Sequence, residues 1–109
     1  MISDLKPPIN QRISASFEQI EAFCRRWQIT EFSLFGSVLR DDFCPDSDID
    51  VLLIFSPKHW LTWDDWQTMQ VEIETLFHRK VDLVSKKYLK NPYRRYEILN
   101  TCQIIYDEL

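Results

Sequence analysis

One glycine occurs in the 109 residues of this chain, and it stands where an apolar run (Phe32, Leu34, Phe35) stops and a serine follows, as Gly36-Ser37. Glycine supplies positive φ angles or lets another backbone or a ligand come very close. A chain that avoids glycine elsewhere has kept one at this corner. Ser37 is then expected where a strand hands over to a helix start, with free backbone N–H groups aimed outward and a hydroxyl beside them. Such a corner binds phosphate well. Read alone, Gly-Ser is a weak signal and more readily an ordinary turn.

Ten residues after Ser37 comes Ser47-Asp48-Ile49-Asp50, which runs straight into Val51-Leu52-Leu53-Ile54-Phe55. On a strand, residues two apart leave the same face, so Asp48 and Asp50 would stand side by side with Cα atoms roughly 6.6 Å apart. Two converging carboxylates repel unless a cation lies between them. Their hard oxygens suit Mg²⁺, which water and substrate phosphates usually complete. The bland reading is a solvated strand entry after the turn formers Pro45, Asp46 and Ser47.

A third acid lies in Lys80-Val81-Asp82-Leu83-Val84, a β-prone alternating segment. Here Asp82 is expected to be a buried acid, which needs a partner or a metal. If this strand pairs beside the one carrying Asp48 and Asp50, three carboxylates meet at one end of a sheet, as a two-metal phosphoryl-transfer site requires. The competing role for Asp82 is an ion pair with Lys80 or Arg79.

Leu34-Phe35-Gly36-Ser37, Arg40, Ser47-Asp48-Ile49-Asp50 and Val81-Asp82-Leu83-Val84 together resemble the DNA polymerase β-like nucleotidyltransferases. Because the chain is short, it is most similar to the minimal nucleotidyltransferases of the MntA type, the antitoxin partners of HEPN-domain toxins. The resemblance runs from about Ile13 to Tyr106. One departure is that family members often have glycine after the arginine, where this chain has Asp41-Asp42.

The resemblance implies that Asp48 and Asp50 hold two Mg²⁺ ions on the triphosphate of ATP. It also implies that Asp82 completes the catalytic metal site and helps activate the attacking hydroxyl. Gly36 and Ser37 would position the β and γ phosphates, with Arg40 neutralising charge nearby and Ser47 counted among the phosphate ligands. AMP would pass to a tyrosine of the partner toxin and pyrophosphate would leave, by in-line displacement.

Length and a hydrophobic content of 45% suit one α/β domain over residues 1–109. Lys and Arg number 13 against 17 Asp and Glu, a net charge of −4, which does not favour autonomous binding to nucleic acid. Cys24, Cys44 and Cys102 form no paired motif and read as reduced thiols, hence a cytoplasmic protein. Asp4, Lys6, Pro7 and Pro8 argue against a signal peptide, and no apolar run reaches membrane-spanning length.

Ile13, Phe17, Ile20, Cys24 and Trp27 make the apolar stripe of a first helix ending near Gln28. A strand from Phe32 to Phe35, a helical turn to about Asp41 and a strand from Asp48 to Phe55 follow. Thr62 with Asp65 resembles a capping box, opening a helix whose buried stripe is Trp66, Met69, Ile73, Leu76 and Phe77. This helix is expected to reach about His78, with Arg79 and Lys80 suiting its negative end. After the Asp82 strand, Asn91-Pro92 starts a helix to about Asn100, and Gln103 to Tyr106 forms a short edge strand. The result is a small mixed sheet covered by helices, the palm of a polymerase β-like nucleotidyltransferase.

His59 and His78 are isolated and are not taken as ligands. Trp66 is expected in the core, and Trp60 or Trp63 is a candidate partner anchor. Lys86, Lys87, Lys90, Arg94 and Arg95 form a basic cluster, either a solvated face or a holder of triphosphate or an acidic partner. Three functions compete: adenylylation of a protein partner, neutralisation of a toxin by binding alone, and transfer to a small molecule or an RNA end. The last generally needs a further acceptor-binding domain, which 109 residues do not hold.

Overall fold

The structure, a computed structural model, describes residues 9–58 and 60–108. His59 and the N-terminal residues Asp4, Lys6, Pro7 and Pro8 lie outside the described residues. A one-turn helix α1 (Ile9–Arg12) leads to α2 (Phe17–Arg26), β1 (Ile29–Phe35) and a 3₁₀ turn over Gly36–Leu39. Then come β2 (Ile49–Phe55), α3 (Trp63–Phe77), β3 (Val81–Ser85), a 3₁₀ turn over Lys86–Tyr88, α4 (Pro92–Thr101) and β4 (Gln103–Asp107).

Local chemistry sets these boundaries. Ser16 caps α2: its hydroxyl accepts the Gln19 N–H at 3.2 Å, and the Gln19 side-chain oxygen accepts the Ser16 N–H at 2.9 Å. This reciprocal box starts the helix at Phe17, four residues later than the stripe from Ile13 suggests. Ile13 still packs in the core, reached from the end of α1. Thr62 and Asp65 form the expected capping box of α3, and the Asn91 side chain accepts the N–H groups of Tyr93 and Arg94 to start α4 behind Pro92. His78 closes α3 in the left-handed region (φ 54°), and Gln28 after α2 is left-handed as well (φ 55°).

The four strands order β3-β2-β1-β4, with β1 antiparallel to both β2 and β4 and β2 parallel to β3. The β1 strand begins three residues earlier than the run Phe32 to Phe35, and β2 begins at Ile49, so Asp48 stands just outside it. The terminal strand takes the expected edge position.

One face of the sheet carries the main core, in which Phe32, Leu34, Val51, Leu53 and Val81 meet Ile20 and Phe23 of α2 and Met69, Ile73 and Phe77 of α3. The other face carries a smaller cluster of Phe35, Leu52, Leu89 and Ile98, roofed by α4. Trp66 is only half-buried, tilted against Phe55 at a ring separation of 6.3 Å. Among the described residues no helix is long and apolar enough to cross a membrane. Ser16→Ala removes one arm of the α2 capping box, and a loss of about 1 kcal/mol in stability is expected from urea unfolding.

Candidate functional site

The parallel register of β2 and β3 sets Asp50 opposite Asp82, while across the other edge of β2 Asp50 faces Phe35, the residue before Gly36. The end of β1 and the starts of β2 and β3 therefore converge on one point. Several contacts outside the strands hold that point. Ile49 donates its N–H to Lys80 O at 3.0 Å. The backbone of Val81, next to Asp82, is gripped on both sides by α3: its N–H donates to Glu74 Oε2 at 3.0 Å and its carbonyl accepts from Gln70 Nε2.

Gly36 is in the left-handed region, with φ of +78°. A Cβ at this position would lie 2.2 Å from Oδ2 of Asp50 and 3.1 Å from its Cγ, so the Asp50 carboxylate occupies the space that any other residue would fill. The following 3₁₀ turn has no side-chain cap from Phe35 at its start.

Asp50 is half-buried, and its carboxyl is pushed above the usual carboxylate range. Burial is the main cause; the charges of Asp82 and Asp48 add to it, and those of Arg94 and Arg40 partly offset it. Asp82 is exposed, which corrects the expectation of a buried acid. Its place in the site comes from register rather than from a desolvated carboxylate seeking a partner. Among the described residues it forms no ion pair, and Arg79 is engaged elsewhere.

Among the described residues no three Asp, Glu, His or Cys side chains stand close enough to form a ready metal cage. The backbone brings the three aspartates to one place, where the charges of Asp48 and Asp82 both act on Asp50. The donor set still fits Mg²⁺: hard carboxylate oxygens, a mutual repulsion that a divalent cation relieves, and open positions for phosphate and water.

Ser47 has a local role. Its hydroxyl accepts the Cys44 N–H at 3.1 Å and lies 3.3 Å from the Cys44 sulfur, a contact that lowers the thiol pKa. Arg40 is exposed, with Nε 3.2 Å from Asp42, so the residues in the place of the usual glycine give it an ion-pair partner. Ser37 is half-buried, and its carbonyl accepts the Arg40 N–H at 2.9 Å.

Two arginines were not legible as site residues. Arg79 donates one guanidinium nitrogen to the carbonyls of Cys44, Pro45 and Ser47 (3.0, 3.2 and 2.8 Å), so it holds the approach to Asp48 rather than the end of α3. Arg12 does the same for the turn after Gly36, reaching Val38 O at 2.8 Å and Arg40 O at 2.7 Å. The two guanidinium groups lie 4.5 and 5.4 Å from the centre of the Phe43 ring, which ties the loop to both. The basic cluster divides: Arg94 acts on Asp50, and Arg95 turns to the carbonyls of Lys86 and Leu89. The sequence offered Arg94 only as one member of that cluster, which it left open as a solvated face.

A mixed sheet with acids at the joined ends of two parallel strands and a glycine corner beside them is a nucleotidyltransferase frame. Residues 18–105 match the nucleotidyltransferase domain, and the chain belongs to that family. It is 29% identical over 68 residues to a "putative protein adenylyltransferase" of Methanocaldococcus jannaschii, covering 62% of this chain and 68% of the relative. A solved "putative minimal nucleotidyltransferase" superposes with a TM-score of 0.66 at 30% identity, covering 80% of this chain and 86% of that one. The fold is also that of a chain in the complex of a tri-AMPylated Shewanella oneidensis HEPN toxin with its MNT antitoxin, with a TM-score of 0.60, 15% identity and coverage of 84% and 69%.

The raised pKa of Asp50 has a definite sign in stability. The folded carboxyl holds its proton more tightly than the unfolded one, so folding loses stability as pH rises from the ordinary value of 3.8 through the folded pKa. Asp50→Asn should therefore raise the Tm of metal-free protein at pH 7, with the gain vanishing as pH falls below the ordinary carboxylate range. Gly36→Ala should cost at least about 1–2 kcal/mol from its left-handed φ alone. In a double-mutant cycle it should cost less in the Asp50→Ala background, where the clashing oxygen is gone.

Proposed function

We propose that the chain is a Mg²⁺-dependent adenylyltransferase that moves AMP from ATP to a tyrosine hydroxyl of a HEPN-domain toxin, neutralising it as an antitoxin in the cytoplasm. The observation that carries the proposal is the pairing of Asp50 with Asp82 beside Gly36, with Asp48 close enough to act on the same carboxylate. The names of the relatives support the acceptor class: one is called a protein adenylyltransferase, and another structure joins an AMPylated HEPN toxin to an MNT antitoxin.

In this mechanism Asp48, Asp50 and Asp82 hold the metal, two ions in all. Mg²⁺ supplies the positive charge that the triphosphate needs. Gly36 and Ser37 receive the β and γ phosphates at the turn, and Arg40 and Arg94 add positive charge around Asp50. The tyrosine oxygen forms a bond to the α phosphorus as the bond from that phosphorus to the α–β bridging oxygen breaks. Pyrophosphate leaves with the bonding electrons, and Asp82 takes the phenolic proton on its way to solvent. Charge placement and alignment carry the rate. Ser47, whose hydroxyl is used within its own turn, serves by shaping the entry to Asp48.

A second reading, neutralisation by binding alone, is favoured by one observation: Trp60 and Trp63 are 84% and 74% exposed. One experiment separates the two. A HEPN-domain protein that co-purifies with this chain or shares its operon is incubated with it, ATP and Mg²⁺, and its intact mass is read. Additions of whole AMP units are expected with the wild type, and a rate loss on the order of 10²–10³-fold or more with Asp48→Asn or Asp50→Asn. A stable complex with no added mass would replace transfer by binding. Normal transfer by either variant would remove the metal assignment.

A further inference from the structure

A groove of about 970 Å³ runs beside the far ends of β2 and β3, between the start of α3 and the start of α4. None of the three aspartates lines it. Trp60, Trp63 and Tyr88 stand on its walls, 84%, 74% and 69% exposed, and Phe55 and Val84 lie among the apolar residues between them. Exposed aromatic side chains gathered at one concavity mark an interaction site more than a solvated surface.

The charge of the groove is opposite to that of the chain. Lys86, Lys87 and Arg95 line it, and among the described residues no acid does, although acids outnumber bases 17 to 13 overall. Arg95 is fixed there by its bonds to the carbonyls of Lys86 and Leu89 (3.4 and 3.2 Å), and among the described residues no acid forms an ion pair with it. Lys87 lies 5.7 Å from the centre of the Tyr88 ring. Cations and bare aromatic faces are thus interleaved.

We propose that this groove docks an acidic segment of the acceptor protein, with aromatic or aliphatic side chains seated among Trp60, Trp63 and Tyr88 and carboxylates on Lys86, Lys87 and Arg95. The proposal rests on the transfer reading for the word acceptor and on the groove itself for the rest. A peptide suits the site better than a nucleic acid strand. A peptide can set one or two carboxylates against three cations, whereas a strand carries a charge at every nucleotide past the acids Asp64 and Asp65 of the first turn of α3. The groove also reaches the carboxylates by two short routes. Val84 is two residues beyond Asp82 on the same strand face, and Arg95 follows Arg94, whose charge acts on Asp50. A segment seated here shares the β3 face and the start of α4 with the site of transfer.

The test needs no transfer. A random peptide display library is panned against the full-length wild type, Trp60→Ala/Trp63→Ala and Lys86→Glu/Lys87→Glu, and the enriched peptides are titrated with and without ATP and Mg²⁺. Peptides rich in Asp and Glu with an aromatic or aliphatic anchor are expected. Their affinity should fall at least tenfold in each variant, and the lysine reversal should turn selection toward basic peptides. Trp60, Trp63 and Lys87 are exposed and Lys86 is half-buried, and either pair alone suffices if the other fails to fold. Four results would overturn the proposal: no enrichment, peptides that bind the variants as well as the wild type, displacement of the peptides by ATP, or tight binding of a single-stranded oligonucleotide that the lysine reversal abolishes. Loss of transfer in Asp48→Asn with peptide binding intact leaves the groove standing, and transfer by a wild type that enriches no peptide removes the groove and not the chemistry.

Discussion

The contact between Gly36 and the Asp50 carboxylate is what the rest of the site depends on. A left-handed φ does not by itself demand glycine in this chain, since Gln28 and His78 adopt φ of 55° and 54° with full side chains. What differs at Gly36 is the neighbour: a Cβ there would meet Asp50 Oδ2 at 2.2 Å. The single glycine is explained by a side chain on the adjacent strand as much as by its own backbone. The consequence is that the turn after β1 approaches the carboxylate with only main chain between, so any phosphate on the turn and any cation on the carboxylate share one small space.

That contact would be useless if the long connection from Gly36 to Asp48 were free to wander. Loops have few internal bonds, and this one is held from outside by two arginines whose partners are carbonyls: Arg12 on Val38 and Arg40, Arg79 on Cys44, Pro45 and Ser47. Phe43 between the two guanidinium groups adds a cation–π contact to each. The carbonyls of Val38, Arg40, Cys44, Pro45 and Ser47 are thereby turned onto arginines. Arg12 lies on α1 and Arg79 just after α3, so packing of the distant helices is transmitted to the position of Asp48.

The parts legible in the sequence were those with local causes. Capping pairs at Thr62 and Asn91 announce α3 and α4, an apolar run announces β2 and alternation β3, and glycine with acids at fixed spacing announces the candidate site. The parts that were not legible have causes distant in the chain or dependent on solvent. Ile13 continues the helical period into Phe17, yet the box at Ser16 and Gln19 overrides periodicity because two backbone donors are satisfied there at once. Asp82 sits between buried Val81 and Leu83, but alternation turns it to the face where no helix covers the strand end, so it is exposed. The carbonyl partners of Arg12 and Arg79 are more than 25 residues away, and no pattern of residue types announces a bond to a backbone oxygen.

The acids at the strand ends work against the fold that presents them. Burial and two like charges raise the pKa of Asp50, and neither Arg94 nor Arg40 fully offsets them. The structure bears this cost where β3 is best anchored: α3 grips both polar groups of Val81, one residue before Asp82, and Lys80 O takes the Ile49 N–H, one residue before Asp50. Such anchoring cannot reduce the repulsion, but it stops the strand ends from separating to escape it. The repulsion therefore falls on the side chains of Asp48, Asp50 and Asp82, while the backbones beneath Asp50 and Asp82 stay in register.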